Sequence, residues 1–207
     1  MPQNEDEKDR WNRKYMEGSH HSLDPEPFLC DAFQRFLART PPGTALDVAG
    51  GVGRHALWLL QRGWKVKLID ISDAGVALAR ENAARVLASQ PEVSATISPL
   101  FVAEVVDLNA APALGDEEFD VVLVFHYLQR ELFPALVRAL KPHGFLIYQT
   151  YLAAQTERPG GPTNPKYMLQ PDELLQAFSS SVRVLHYREN FSDKAVAELV
   201  AQKPDLR

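Results

Sequence analysis

An α/β fold, with a mostly parallel sheet covered by helices on both faces, is what the sequence predicts. From residue 44 onward, short apolar segments alternate with segments of helical periodicity. Residues 121–125, which directly follow Asp120, form an unbroken apolar run, and such a run is typical of a strand buried on both faces. Strands that alternate with helices favour parallel pairing, because each helical crossover returns the chain to the same edge of the sheet.

The remaining elements follow from the same periodicities. Strands are predicted at residues 45–49, 65–69, 100–106, 120–125, 145–151, 182–187 and 195–201. Helices are predicted at 4–17, from Asp24 to about 40, and at 54–61, 72–87, 131–140 and 171–178. The last two strands lie close together in sequence, so we expect an antiparallel hairpin. Residues 153–170, with three prolines and two glycines, are expected to form an ordered loop over the strand ends.

The composition is that of an ordinary soluble globular chain. Hydrophobic residues make up 45% and charged residues 24% of the 207, which supports one domain over 1–207 with a full core. The net charge is −5 and there is no basic tract, so nucleic acid is not expected as a partner. No apolar run approaches the ~20 residues of a membrane helix, so no membrane association is expected.

Cysteine and histidine usage predict a cytoplasmic protein without a bound metal. Cys30 is the only cysteine, which excludes an intrachain disulfide and fits a reducing compartment. The six histidines are scattered, apart from His20-His21, and show no metal-ligand spacing. Because no exposed apolar helix is evident, we expect a monomer or a weak homodimer whose partner is a small-molecule substrate.

A glycine-rich turn separates the first predicted strand from the helix after it. Gly50, Gly51 and Gly53 allow the backbone to approach a ligand closely, because a Cβ there would clash. The free N–H groups at the helix start can bind an anionic group. The second strand ends in Asp70, whose carboxylate can accept hydrogen bonds from a ribose diol. This combination predicts a site for a nucleotide-type cofactor.

Five segments, in this order, resemble the motifs of the class I S-adenosylmethionine (SAM)-dependent methyltransferases. They are Leu46-Asp47-Val48-Ala49-Gly50-Gly51-Val52-Gly53, Ile69-Asp70-Ile71-Ser72, Val106-Asp107-Leu108, Phe119-Asp120-Val121-Val122 and Leu140-Lys141-Pro142-His143-Gly144. The resemblance implies a Rossmann-like, seven-stranded sheet of order 3-2-1-4-5-7-6 with strand 7 antiparallel. We divide the domain accordingly into N-terminal helices or a lid (1–42), a SAM-binding core (43–150), and a substrate loop with a terminal hairpin (151–207).

The same resemblance implies which residues bind SAM. Asp47 would contact the methionine part, Asp70 both ribose hydroxyls, Ile71 and Asp107 the adenine, and Phe125 the methyl donor. The full set of expected cofactor residues is Asp47, Ala49, Gly50, Gly51, Gly53, Asp70, Ile71, Asp107, Leu108 and Phe125.

Acceptor-side candidates lie mainly after strands four and five, where α/β sheets place ligands. The catalytic candidates are His126, Tyr127 and Arg130, and the substrate-site or lid candidates are Trp11, Tyr15, Tyr151, Arg158 and Asn164. His126 either acts as a base, since its intrinsic pKa lies near neutrality, or only bonds the backbone. Arg130 or Arg158 can attract an anionic acceptor. Trp11 and Tyr15 either cover the site or only pack on the domain.

More narrowly, the chain looks like the tellurite-resistance (TehB-like) methyltransferases. The matching segments are 11–15, 53–59, 62–64 and 125–130. Ala49 stands where the class usually has glycine. The tellurite enzymes carry a His-Arg pair in a longer C-terminal hairpin, and residues 187–193 have no such pair. This departure argues against tellurite itself as the methyl acceptor.

The expected function is therefore SAM-dependent methylation of a small molecule at O, S, N or a metalloid oxyanion. One alternative is a SAM-binding protein without turnover. Another is an NAD-linked oxidoreductase, because residues 51–56 match Gly-x-Gly-x-x-Ala formally. Asp47, Asp107 and the Leu-Lys-Pro-x-Gly segment favour SAM over NAD, and no Tyr-x-x-x-Lys element supplies hydride-transfer chemistry.

Overall fold

Six α-helices and seven strands lie within the residues that the computed structural model describes, namely 6–18, 20–89, 100–110 and 113–205. The helices are α1 (Glu7–Met16), α2 (Pro27–Ala32), α3 (Arg54–Leu60), α4 (Asp73–Ser89), α5 (Phe133–Ala139) and α6 (Glu173–Phe178). The strands are β1 (Thr44–Val48), β2 (Lys65–Asp70), β3 (Phe101–Val105), β4 (Phe119–Phe125), β5 (Leu140–Tyr151), β6 (Arg183–Asn190) and β7 (Val196–Gln202). Residues 4 and 5 of the predicted first helix lie outside the described residues.

The strand order is β3-β2-β1-β4-β5-β7-β6. β2 is parallel to β1 and to β3, and β5 is parallel to β4. β7 runs antiparallel to both of its neighbours, β5 and β6. The link between β6 and β7 is too short for a crossover, which leaves a hairpin as the available connection. The predicted seven-stranded, mostly parallel sheet with strand 7 antiparallel is therefore confirmed.

The chain folds into two compact units, and the first comprises the described parts of 1–27 and 39–112. Its strands pair in register, with Asp47 opposite Leu68 and Asp70 opposite Val105. Because β1, β2 and β3 are parallel, their carboxyl ends lie side by side, and the segments that follow them meet at one edge. The core of this unit includes the fully buried side chains Leu46, Leu59, Leu60, Leu68, Val76 and Ala79.

The second unit comprises the described parts of 28–38 and 113–207. On one face of β5, the rings of Phe133, Tyr148 and Phe178 pack with centroids 5.0–6.1 Å apart. On the other face, the Phe28 ring of α2 lies 6.4 Å from Phe125. Aromatic packing thus covers the strands of this unit on both faces, as the long apolar runs of β4 and β5 require.

Residues 142–144, which lie between the predicted helix 131–140 and the predicted strand 145–151, are instead part of β5. His143 has a φ of 64°, and the register with β4 shifts between Phe119 and Val121. A Cβ on Gly144 would lie 2.9 Å from the Lys141 carbonyl oxygen and 3.0 Å from that of Phe119. The Pro-His-Gly sequence of residues 142–144 therefore forms an irregularity within β5, because β4 pairs with residue 140 before it and with residue 145 after it.

The helix predicted to start at Asp24 begins at Pro27 and becomes a π-helix over Phe33–Leu37. The Asp24 N–H donates to the Ser22 hydroxyl at 3.3 Å.

Two kinds of feature are absent from the described residues. None of the helices combines the length and apolar character that crossing a membrane requires. Within the same described ranges, no three or more His, Cys, Asp or Glu side chains come together in a way that could hold a metal ion.

Candidate cofactor and acceptor sites

The glycine turn after β1 has a left-handed backbone. Ala49 and Gly51 each have a φ of 55°, and Gly53, just before α3, has a φ of 89°. The Gly50 N–H donates to the Ile69 carbonyl at 3.1 Å, and the Gly53 N–H donates to the Gly50 carbonyl at 2.9 Å. These bonds hold the turn against the end of β2, so its conformation is set before any ligand binds.

Asp70 ends β2 as a buried carboxylate. Its Oδ2 accepts from the Gly51 N–H at 2.8 Å, and its Oδ1 accepts from the Ser72 N–H at 2.9 Å. Burial raises the pKa of this carboxyl, and hydrogen bonds from the Ser72, Gly51 and Ile71 backbone oppose that rise. A carboxylate accepts about four hydrogen bonds, so with three backbone donors bound this one retains a place for a further donor, such as a ribose hydroxyl.

Asp47 is the second buried carboxylate of this unit. Its Oδ2 accepts from the Ala56 N–H at 3.1 Å, which joins β1 to the first turn of α3. Burial raises the pKa of Asp47 to about 7, although the Ala56 hydrogen bond and the charge of Arg54 oppose the rise. Asp47 therefore changes its charge near neutral pH, next to the glycine turn.

Helix α1 lies on the glycine turn through Tyr15. This side chain is 6% exposed. A Cβ on Gly51 would collide with its hydroxyl, and a Cβ on Gly75 would lie 2.9 Å from its ring. Two glycines thus leave the space that the tyrosine ring fills. Burial raises the pKa of Tyr15, and the negative charge of Asp70 adds to this, so the hydroxyl stays protonated.

A second contact joins α1 to the start of α4. The Asn12 Oδ1 accepts from the Ser72 hydroxyl at 2.6 Å and from the Ala74 N–H at 3.1 Å. Lys8 forms an ion pair of 2.8 Å with Asp73. Asn12 thus satisfies a backbone donor at the helix start, although it lies 62 positions away in sequence.

The turn after β3 carries the expected adenine contacts. The Asp107 Oδ1 accepts from the Asn109 N–H at 2.9 Å, and the Asn109 side chain also donates to Glu7 at 3.3 Å. Asp107 is exposed, whereas Leu108 is buried. The structure thus brings together, at the carboxyl ends of β1, β2 and β3, the predicted residues Asp47, Ala49, Gly50, Gly51, Gly53, Asp70, Ile71, Asp107 and Leu108.

In the second unit, His126 and Tyr151 pair at the carboxyl ends of β4 and β5. Their ring centroids are 4.9 Å apart. His126 has a φ of 56°, and its N–H donates to the Gln149 carbonyl at 2.8 Å. A left-handed conformation is uncommon for a non-glycine residue, although histidine adopts it more often than most, and such residues cluster at functional sites. Phe125, the tenth predicted cofactor residue, directly precedes this pair.

Arg130 is held by bonds within the second unit. Its Nε and Nη2 donate to Glu173 at 2.5 and 2.9 Å. Its Nη1 and Nη2 donate to the carbonyls of Lys166 and Met168 at 3.2 and 3.1 Å. The ion pair raises the pKa of Arg130, so it stays charged. These bonds support a structural role, fastening the 165–168 segment to the start of α6.

The other loop candidates also bond locally. Arg158 donates to the carbonyls of Ala154 at 3.3 Å and Phe191 at 2.9 Å. The Asn164 side chain accepts from the Lys166 N–H at 3.0 Å, and the Tyr127 hydroxyl donates to Gln129 at 2.6 Å. Trp11, on α1 in the first unit, stacks on Tyr15 at 5.7 Å.

A family model described as "Methyltransferase domain" matches residues 46–148, from β1 into β5. The chain carries a class I SAM-dependent methyltransferase domain. S-adenosylmethionine is accordingly the cofactor of this methyltransferase domain. No curated protein matches the sequence.

Solved structures share the fold of the methyltransferase domain. The N-methyltransferase NodS from Bradyrhizobium japonicum WM9, in complex with S-adenosylhomocysteine, is 14% identical with a TM-score of 0.68, covering 96% of this chain and 98% of that one. TehB from Haemophilus influenzae is 15% identical with a TM-score of 0.67, covering 93% and 67%. A SAM-dependent methyltransferase from Aquifex aeolicus is 20% identical with a TM-score of 0.62, covering 93% and 98%. At these identities the likeness establishes a shared fold.

Some functional candidates of the methyltransferase domain escaped the sequence prediction. Gln149 and Glu198 are buried polar residues on β5 and β7 that hydrogen-bond each other, and Asn12 holds α1 to α4. A signal for Gln149 was present, because it follows the apolar run 145–148 in a strand that has to be buried. Nothing local marks Asn12, whose role depends on a helix far away in sequence.

Proposed function

We propose that this methyltransferase acts on a small-molecule acceptor. The observation that carries the cofactor side of the proposal is the buried Asp70 carboxylate at the end of β2, which accepts from the Gly51 and Ser72 N–H groups. SAM supplies a methyl group already activated by a sulfonium charge. The protein therefore has mainly to hold and align the two reactants and to exclude water.

On the cofactor side, five of the predicted residues are assigned specific roles. Asp70 would accept from both ribose hydroxyls, and Asp47 and Gly51 would bind the methionine part. Asp107 would accept from the adenine amine, with the Leu108 N–H facing a ring nitrogen. The support for these roles is that the carboxyl ends of three adjacent parallel strands carry them, where α/β folds bind nucleotides.

On the acceptor side, we assign the central place to His126 and Tyr151. Their 4.9 Å ring pair supports this assignment, and so does the left-handed backbone of His126. An imidazole there can take a proton from an acceptor that must lose one. Arg130 and Arg158 are better explained by their bonds to Glu173 and to backbone carbonyls.

The narrower assignment to the tellurite-resistance branch belongs to the same proposal. The resemblance of segments 11–15 and 125–130 supports the branch, and the fold shared with TehB is compatible with it. Cytoplasmic location is proposed from the single cysteine. The missing His-Arg pair at 187–193 argues for an acceptor other than tellurite.

The first test is thermal unfolding with SAM, S-adenosylhomocysteine and NAD, each in excess. A ligand at about 100 times its Kd adds roughly 2.7 kcal/mol to the stability of the folded state. We expect the midpoint to rise with SAM and with S-adenosylhomocysteine and to stay unchanged with NAD. A rise with NAD alone would overturn the proposal. Once binding of SAM is established, transfer of label from methyl-labelled SAM to added acceptors tests turnover.

A further inference from the structure

We propose that Gln149 recognises the methyl acceptor through its side-chain oxygen, and that the acceptors are aromatic compounds bearing an O–H or N–H group. This inference rests on the proposed function, because it concerns the acceptor side of the same methyltransferase. It is carried by a polar row on β5, β7 and β6, in which Gln149 and Glu198 are buried and Arg188 is exposed, and by the rings beside that row.

Three side chains from neighbouring strands form this row. Gln149 pairs in register with Glu198, and Glu198 pairs with Arg188. The Gln149 Nε2 donates to Glu198 Oε1 at 3.2 Å, and Arg188 donates to Glu198 Oε2 from Nε at 3.0 Å and Nη2 at 2.8 Å. Gln149 and Glu198 are 5% and 3% exposed. Because the carboxylate takes the amide nitrogen, the orientation of the Gln149 amide is determined.

The Gln149 Oε1 is left without a hydrogen-bond partner among the described residues. An unsatisfied buried acceptor is unfavourable, because its lone pairs have lost their hydrogen bonds to water without replacement. A ligand that donates a hydrogen bond to this oxygen removes the cost, whereas a ligand without a donor leaves it in place. A buried polar group that needs such a partner discriminates strongly against analogues that lack the donor.

The surroundings of the row favour an aromatic ligand. Tyr151 lies two residues after Gln149 on β5, so both side chains are on one face, and Tyr151 stacks with His126. Phe125 pairs in register with Gln149. Flat rings therefore border the amide on the side where the methyl acceptor is proposed to bind.

Phe28 closes this region from the helix side. Its ring lies 6.4 Å from Phe125 on β4 and 5.9 Å from His186 on β6. Strands β5 and β7 lie between β4 and β6 in the sheet. The Phe28 ring, which is close to side chains on both outer strands, therefore lies over the part of the sheet that carries Gln149 and Glu198. A ligand that reached the amide from this side would have to displace the Phe28 ring.

The test measures binding to the full chain saturated with S-adenosylhomocysteine. The probes are two matched pairs, phenol with anisole and 2-naphthol with 2-methoxynaphthalene, in which the second member lacks the O–H. For at least one pair we expect the hydroxyl compound to bind at least tenfold more tightly than its ether. In Gln149→Met, we expect this ratio to fall to near one while the affinity for S-adenosylhomocysteine changes less than twofold.

Thr150→Val is the matched control. The Thr150 hydroxyl is also buried without a hydrogen-bond partner among the described residues, but it lies on the other face of β5. We expect this variant to keep the full preference for the hydroxyl compounds. A ratio near one in the unaltered protein, binding of none of the four probes, or an unchanged ratio in Gln149→Met would overturn the inference. Failure to bind S-adenosylhomocysteine would reject the proposed function itself, and the inference with it.

Discussion

Two buried carboxylates in the first unit show how neighbouring aspartates acquire different tasks. Asp47 accepts one backbone hydrogen bond, from Ala56. Asp70 accepts one on each oxygen, from Gly51 and Ser72. Burial raises the pKa of both groups, so each gains from any further donor or positive charge. Asp70 is the better placed for hydroxyl ligands because both of its oxygens are fixed by backbone N–H groups.

Replacing Asp70 by alanine tests the ribose contact. Loss of a charge-assisted, two-oxygen contact should weaken S-adenosylhomocysteine binding by about 2–3 kcal/mol, roughly 30- to 150-fold. Isothermal titration measures the affinity, and denaturant unfolding shows whether the fold persists. Asp70→Asn is the control, because it keeps one side-chain oxygen for Gly51 or Ser72 and should lose less. Equal affinity in the alanine variant and the unaltered protein would show that the ribose binds elsewhere.

Helix α1 and the glycine turn depend on each other. The Tyr15 ring occupies space that a Cβ on Gly51 or Gly75 would take. Asn12 and Lys8 hold the same helix to the first residues of α4. A single short helix therefore contacts two of the segments that the cofactor is expected to touch, so helix position and cofactor binding should be coupled.

Gly51→Ala compared with Gly63→Ala separates backbone strain from this contact. Both glycines have positive φ, so alanine should cost each variant about 1–2 kcal/mol of stability. Only Gly51→Ala also collides with Tyr15, since a Cβ on Gly63 meets nothing closer than Pro42 at 3.7 Å. We expect faster amide exchange in α1 and weaker S-adenosylhomocysteine binding in Gly51→Ala alone. Similar exchange in the two variants would show that Tyr15 adapts to the added methyl group.

For the whole molecule, the buried acids make stability depend on pH. Asp47 has a pKa of about 7 when folded, against about 4 in an unfolded chain. Between these values the folded state binds more protons than the unfolded state, so this group lowers stability as pH rises from about 4 to about 7. The raised pKa of Asp70 acts in the same direction.

Asp47→Asn should remove the contribution of Asp47 to this pH dependence. Asparagine keeps an oxygen for the Ala56 N–H but carries no charge to bury. We expect the stability of the variant relative to the unaltered protein to increase between pH 4.5 and 7.5 by on the order of 3 kcal/mol. Urea unfolding at a series of pH values measures this difference. A constant difference across that range would mean that Asp47 titrates at its ordinary pKa.

Much of the fold and of the cofactor site was readable from local patterns. The strand and helix alternation, the glycine turn and the acid closing β2 all depend on residues close together in the chain. The failures were local as well. Pro142-His143-Gly144 carries a turn signal, yet the pairing of residues 140 and 145 with β4 keeps it inside β5. Because β4 pairs with β5 on both sides of these residues, the local turn preference produces an irregularity within the strand rather than its end.

The local patterns of the sequence determined the order of elements, the position of the glycine turn and the acid that closes β2, which is proposed to bind the ribose. Tertiary structure alone decided that Tyr15 fills the space beside Gly51 and that Arg130 is bound to Glu173. It also decided that Gln149 meets Glu198 with one oxygen left over. These pairs lie 36 to 49 positions apart. Contacts at that separation depend on strand order and register, which no local pattern encodes.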